Sequence, residues 1–394
     1  MLSVSSSTLA SCRRFPSKSL GYLLRNLATL DCSEPRDKIY GLLALLPQSL
    51  VHQIKPDYDI PTKMYKHVVL LDATYSGRFR LWFDHIVSVE EPPESRDQNP
   101  SWVPDWTLKW RYYNGLGIHQ WASGCSRAHF TYQNPGTLVV EGVICGTVST
   151  ISDIAPKYSL GSEDSLPQRL QAWITSLGTL HNGIYQPTGE PASLALVANL
   201  TGLRYAERLV SVQVPRLEEW TKILGISTGP GEFMGMLSLD SFIRVVLSVV
   251  SNRRYITTEE GFMGFAPTFT QSGDKVVVLL GCDSPFILRP LPNGGYRLLG
   301  QAIIYGLQDA ERLLGRLPAP WTVIVDYGSA DEDRTCPYRF WNPDTRETTS
   351  HDPRLPPLGP DSEWEDFDYD DCCRDSDWPC TCIICRHKVT GETT

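Results

Sequence analysis

Gly261-Phe262-Met263-Gly264-Phe265-Ala266-Pro267, Gly273-Asp274-Lys275-Val276, Pro285-Phe286-Ile287-Leu288-Arg289 and Tyr305-Gly306-Leu307 follow one another toward the C-terminal side of the chain. Short apolar runs, Lys275–Leu280, Phe286–Leu288 and Tyr296–Leu299, alternate here with Gly273, Gly281, Gly294, Gly295 and Gly300. Runs this short, bounded this regularly by glycine, predict strands and turns rather than helices, curled into a small β-rich, barrel-like unit over residues 255–315. Gly273-Asp274-Lys275 has the chemistry of a hairpin turn.

Toward the N-terminus the pattern is helical. Leu20, Leu23, Leu24, Leu27 and Leu30 recur at helix spacing over Lys18–Leu30. Ser33 is placed to cap a second helix that runs through Ile39, Tyr40, Leu42, Leu43 and Leu46 and stops at Pro47. A third helix starts near Thr62 and buries Met64, Val68 and Leu71. Ser165–Leu177, Ser193–Leu209 and Ser238–Ser251 are also helical in pattern, with loops between them. Two strands, Leu138–Val143 and Cys145–Ile151, interrupt them, with Gly142 and Gly146 near the join. Pro100-Ser101-Trp102-Val103-Pro104-Asp105-Trp106 cannot be a helix interior and is expected as a rigid extended turn with buried indoles.

The expected class is therefore α+β: an irregular N-terminus (1–17), a mainly helical region (18–254), the β-rich unit (255–315), a small three-stranded module (317–357) and an acidic, Cys-rich, disordered tail (358–394). The chain has 394 residues, 41% hydrophobic and 21% charged, an ordinary globular composition. Its net charge is −9, and nine acids against Arg374 between Asp361 and Asp377 supply nearly all of it. A near-neutral body with an acidic tail gives no footprint for nucleic acid, and no apolar run reaches the roughly 18–20 residues of a membrane span. Six of the eleven cysteines are scattered singly and no apolar signal segment opens the sequence, which together indicate reduced thiols and a cytoplasmic location. Arg13, Arg14, Lys18 and Arg25 precede the first acid, Asp31, so mitochondrial import is the alternative.

Three ordered stretches resemble one family: Cys32-Ser33-Glu34-Pro35-Arg36-Asp37-Lys38-Ile39-Tyr40-Gly41; Pro56-Asp57-Tyr58-Asp59 with the Trp–Pro turn; and the glycine-punctuated stretch quoted first. Over about residues 20–315 they are similar to the region downstream of the HET domain in fungal heterokaryon-incompatibility proteins. Arg36, Asp37, Tyr40, Asp57, Tyr58, Trp102, Pro104, Asp105, Trp106, Gly264, Pro267, Gly273, Asp274, Arg289 and Gly306 carry this resemblance. In that family the HET domain lies upstream, is similar to TIR-type domains and is held responsible for cell death. No such segment is found in this sequence. The resemblance thus implies a non-enzymatic regulatory or scaffold portion, acting in non-self recognition and programmed cell death through protein partners, or a truncated gene product. By local chemistry, Asp37 favours the N-terminus of its helix. Arg36 is suited to clamp Asp57 or Asp105.

A second resemblance, to a WW module, runs from Leu317 to Pro356. Trp321, Phe340 and Pro353 match its hydrophobic buckle and Asn342 its structural asparagine. The positions of the groove aromatics hold Arg339 and Ser350, so the fold pattern survives without the polyproline-binding surface.

Three candidates for chemistry remain. Cys380, Cys382, Cys385 and His387 offer enough donors for zinc, with Cys372 and Cys373 upstream; a cysteine-rich tail without metal and redox pairing compete with that reading, and no other cofactor is indicated. Gly225-Ile226-Ser227-Thr228-Gly229 matches a nucleophile elbow, but Pro230 and Gly231 stand where a helix is required. Cys125 and His129, with Asp105 upstream, form a nominal nucleophile pair. A hydrolase using Ser227 or Cys125, and a zinc-dependent adaptor, are the alternatives to the non-enzymatic reading. No P-loop, dinucleotide fingerprint or H-E-x-x-H occurs.

Overall fold

A computed structural model of the chain describes residues 34, 36–46, 51–52, 54–58, 68–70, 73, 79, 100–103, 120–133, 136–156, 166–177, 183–210, 212–224, 239–292, 294–326 and 338–355. Helix α1 spans Asp37–Tyr40 and gives way to a 3-10 turn at Leu43–Leu45. The expected continuous helix to Leu46 does not form. Arg36 occupies its N-cap without a side-chain cap bond, and Leu46, held before Pro47, is already extended. The helix expected at Lys18–Leu30, the cap at Ser33 and the tail after residue 355 lie outside the described residues.

Strands β1 (Phe130–Gln133) and β2 (Thr137–Val140) form a hairpin, and β3 runs for 13 residues from Gly142 to Ile154. The two expected strands thus divide at Glu141, not between Val143 and Cys145. Gly142 and Gly146 mark close approach rather than a turn: a Cβ on Gly142 would meet the Val278 carbonyl oxygen at 2.4 Å, and one on Gly146 would meet Glu260 Oε2 at 2.5 Å. Helix α2 (Leu166–Ser176) matches its expected span. β4 (Ile184–Tyr185) and β5 (Glu190–Pro191) lead into α3 (Ala192–Leu200). The expected helix to Leu209 stops nine residues early. Gly202 and Leu203 turn left-handed, and their N–H groups donate back to the Asn199 and Ala198 carbonyls. Helix α4 (Leu217–Ile223), in a stretch expected as loop, is held at its start by Glu219 Oε2, which accepts the Arg216 N–H at 2.8 Å. Then follow α5 (Leu239–Val250), β6 (Arg253–Thr258), β7 (Met263–Pro267), β8 (Lys275–Leu279), β9 (Phe286–Pro290), β10 (Tyr296–Gln301), β11 (Ile303–Ile304) and α6 (Glu311–Leu314). The strands β12 (Thr322–Val325), β13 (Tyr338–Asn342) and β14 (Glu347–Thr349) end the described chain.

Seven strands pair in the order β10-β9-β8-β3-β6-β7-β11, all antiparallel. The two ends of this order are consecutive in sequence, separated only by Ala302, so the sheet curls back on itself. Among the described residues no ladder joins β10 to β7 or to β11, so strand pairing does not close a barrel. The middle strand, β3, comes from outside residues 255–315, which shows why the N-terminal two-thirds is less purely helical than expected. Alternation along β8 explains the apolar run. Val276 and Val278 face the helices α2–α5 together with Trp173, Trp220 and Phe265, whereas Val277 and Leu279 face the N-terminal segment with Ile39, Phe79 and Trp102. A sheet covered on both faces needs no polar side.

Candidate functional site

Two of the sequence motifs meet at α1. The Tyr58 hydroxyl donates to Asp37 Oδ1 at 2.6 Å, and the Tyr40 hydroxyl bridges the carbonyl and N–H of Asp57, each at 2.9 Å. The Tyr40 and Tyr58 rings stand edge to face, with centroids 5.2 Å apart. Arg36 donates to the Tyr58 carbonyl and lies 3.5 Å from Glu34, rather than clamping Asp57; Asp105 is outside the described residues. The Tyr58 hydroxyl is held above the ordinary tyrosine range, first by its bond to Asp37 and then by burial and nearby charge.

Trp102 is buried as expected. Its indole N–H donates to the Gly136 carbonyl at 2.9 Å, and its ring meets Tyr132 edge to face. Trp102→Ala is expected to cost about 3–5 kcal/mol in a urea titration; an unchanged midpoint would make this turn a surface feature. Pro104 and Trp106 lie outside the described residues.

The glycine-punctuated motifs serve the sheet. Gly264 sits where a Cβ would meet the Ile303 carbonyl oxygen at 2.0 Å, and Pro267 ends β7 opposite Arg253. Gly306, at φ +86°, packs on Pro187 and Thr188. The turn at Gly273 (φ +90°) is not a hairpin turn. It joins β7 to β8, which do not pair, so the chain crosses from one part of the sheet to another. Asp274 anchors that crossing from a buried position. Its carboxylate accepts Arg289 Nε and Nη2, each at 3.0 Å, and the Gln271 N–H at 2.7 Å.

The three-stranded sheet β12–β14 packs through a small core of Trp121, Leu209, Val323, Val325, Tyr338 and Phe340. Phe340 is fully buried, Trp321 packs partly buried against this core, and Asn342 Oδ1 accepts the N–H groups of Asp344 and Thr345 to shape the β13–β14 turn. Pro353 is partly buried beside Asp352, whose carboxylate grips Arg354.

Behind this core lies a group that sequence reasoning missed. Arg208 Nη1 and Nη2 donate to the two oxygens of Asp309 at 2.7 and 2.5 Å, both side chains buried. The Arg208 carbonyl accepts the Val325 N–H at 2.7 Å, and its guanidinium lies 6.0 Å from the Tyr338 ring centroid. Trp121 stacks on that ring, while its backbone N–H donates to the Gln308 carbonyl at 2.6 Å. Glu311 Oε2 accepts the Asp309 N–H at 2.7 Å. Burial, and then Asp309, push the Glu311 carboxyl up to about 7. Burial likewise raises Tyr205 and Tyr305 beside them. The sequence gives no local signal for it: Glu207 adjoins Arg208, and Gln308 and Arg312 flank the two acids.

Among the described nucleophile candidates, no hydrogen bond joins His129 to Cys125. His129 Nδ1 lies 2.7 Å from Glu141 Oε1, and Ser227 is outside the described residues. Burial pushes the Cys145 thiol up to about 11. Among the described residues no group of three or more His, Cys, Asp and Glu is placed to hold a metal ion; Cys380, Cys382, Cys385 and His387 lie beyond them. No described helix is long and apolar enough to cross a membrane.

Residues 233–315 match the Het-6 beta-barrel domain family. The matched span takes in α5, β6–β11 and α6, ending at the C-cap glycine of α6. Heterokaryon incompatibility protein 6, OR allele, of Neurospora crassa is 24% identical over 332 residues, covering 70% of this chain and 48% of that protein. The chain is thus similar, at low identity and over part of its length, to a fungal HET-6 incompatibility protein. It spans about half the length of that curated relative. No solved structure matches. The HET-6-like match does not contain β3, the strand to which β6 and β8 both pair; the sheet is therefore built from more of the chain than the matched span.

Proposed function

We propose that this chain is a non-enzymatic regulatory or scaffold portion of a HET-6-like protein, acting in fungal non-self recognition and incompatibility-linked cell death through a protein partner. The observation that carries this reading is the use of the family-motif residues. Asp37, Tyr40, Asp274 and Arg289 are engaged in holding turns and crossings, and Gly264 in close strand approach. Such residues preserve a shape, which is what a docking or restraining element requires. The β12–β14 sheet, WW-like in strand order but with Arg339 and Ser350 in place of groove aromatics, is assigned a structural role by the same logic.

The test is co-expression in a filamentous fungus with an intact HET-domain protein. The chain alone should leave cells viable and should change the death rate set by the intact protein. Killing by the chain alone, or no effect on the intact protein, would overturn the proposal. Labelling by a fluorophosphonate or iodoacetamide probe that is lost in Ser227→Ala or Cys125→Ala would favour the hydrolase instead.

A further inference from the structure

The charged group behind the three-stranded sheet sets two carboxylates against one guanidinium. Asp309 takes both ends of Arg208, and Glu311 is tied to the same turn through the Asp309 N–H. Between them Ala310 is fully buried with φ +61°, a left-handed conformation that L side chains rarely adopt. A Cβ on Gly124 would lie 3.2 Å from the Ala310 Cβ, so the turn is wedged against the 120–124 segment. Movement of either carboxylate therefore moves the turn.

The titratable groups around this cluster are Tyr205 and Glu207 from the loop after α3, Tyr185 of β4, Glu190 of β5, Tyr305 after β11 and Tyr338 of β13. All are acids or phenols. Arg312, next along α6, faces Cys145 instead. Arg208 is the cation that Asp309 and Glu311 face, and it also carries the backbone contact to Val325 and the ring contact to Tyr338.

We infer that Arg208, Asp309 and Glu311 form a proton-dependent clasp: with Glu311 protonated it holds β12–β14 onto the body, and with both carboxylates ionised it loosens. The proton lost on loosening goes to solvent. The direction follows from linkage. A carboxyl that binds its proton more tightly in the closed state than in the open one favours closure below its closed-state titration and opposes it above. Glu311 titrates near 7 when closed, against an ordinary 4.5. The opening equilibrium should rise about tenfold between pH 6 and pH 8.

Backbone hydrogen exchange on the full chain, corrected for the intrinsic pH dependence of exchange, reads this directly. The amides of Val325 and Val210, which bond across the seam, should open about tenfold more often at pH 8 than at pH 6. The Val277 amide, within the seven-stranded sheet, should show no such change. Glu311→Gln should abolish the dependence and keep the seam at its tighter value. Asp309→Asn should shift the transition to lower pH, because Glu311 then faces Arg208 without a neighbouring charge. A flat wild-type profile, an unchanged slope in Glu311→Gln, an unmoved transition in Asp309→Asn, or a parallel change at Val277 would each overturn the clasp.

Discussion

Gly264→Ala should prevent β11 from docking on β7. A Cβ there would lie 2.0 Å from the Ile303 carbonyl oxygen and 2.8 Å from the Ile304 side chain, so backbone must move to admit one carbon. The Ile303–Phe265 and Ile304–Gly264 pairs seat the end strand β11 on β7, and both isoleucines are fully buried in the main core. The expected loss is about 3 kcal/mol or more in a urea titration, with fast exchange of the Ile303 and Ile304 amides. Gly273→Ala is the control. Nothing lies within 4 Å of its Cβ position, and only its positive φ opposes the substitution, at a cost of about 1–2 kcal/mol. Equal effects at the two glycines would show that close approach at Gly264 is unimportant.

Arg208→Met should be nearly as damaging, for an electrostatic reason. It removes the guanidinium from two acids at a buried site and leaves Asp309 without the partner that offsets its desolvation. Breaking one side of such a pair costs about 3–5 kcal/mol, more than the pair itself contributes. Arg208→Met combined with Asp309→Leu should therefore recover much of the loss. If the double variant is as unstable as the single, the side chains matter through packing against Tyr338 rather than through charge.

What could be read from the sequence was local. The Gly–apolar alternation after Tyr255 marked strands, and β7 to β11 all lie there, with β6 starting two residues earlier at Arg253. Burial of Trp102 followed from two prolines excluding helix beside a large apolar ring. Helices α2 and α5 followed from period alone, since each presents one apolar stripe to the core. The failures were also local competitions. Helix α3 stopped early because Gly202 and Leu203 satisfied the last carbonyls through a left-handed turn, which outweighed the apolar period running on to Leu209. Gly142 and Gly146 looked like a join because glycine marks both turns and close approaches, and only the neighbouring strand distinguishes them.

The motif residues divide in the same way. Asp37 and Tyr40, one turn apart on α1, were legible as a unit, but their bonds to Tyr58 and Asp57 depend on how the intervening chain returns. Arg289 could not be assigned to Asp274 by spacing, because the β8–β9 register, with Lys275 opposite Leu288, is what sets that distance. Arg208 and Asp309 are 101 residues apart, and no pattern in either neighbourhood names the other.

By itself, then, the sequence determined which segments are helix and strand in its strongly periodic parts, an α+β class, and a set of ordered motifs similar to fungal heterokaryon-incompatibility proteins. Periodicity and turn chemistry act over a few residues, so neighbouring residues suffice to specify them. Only the tertiary structure decided that β3 joins the two halves of one curled sheet, that β12–β14 is seated on the body, and that a buried guanidinium there faces two carboxylates. Strand order and charge pairing depend on contacts between distant segments, and their energy comes from desolvation that exists only once those segments have packed.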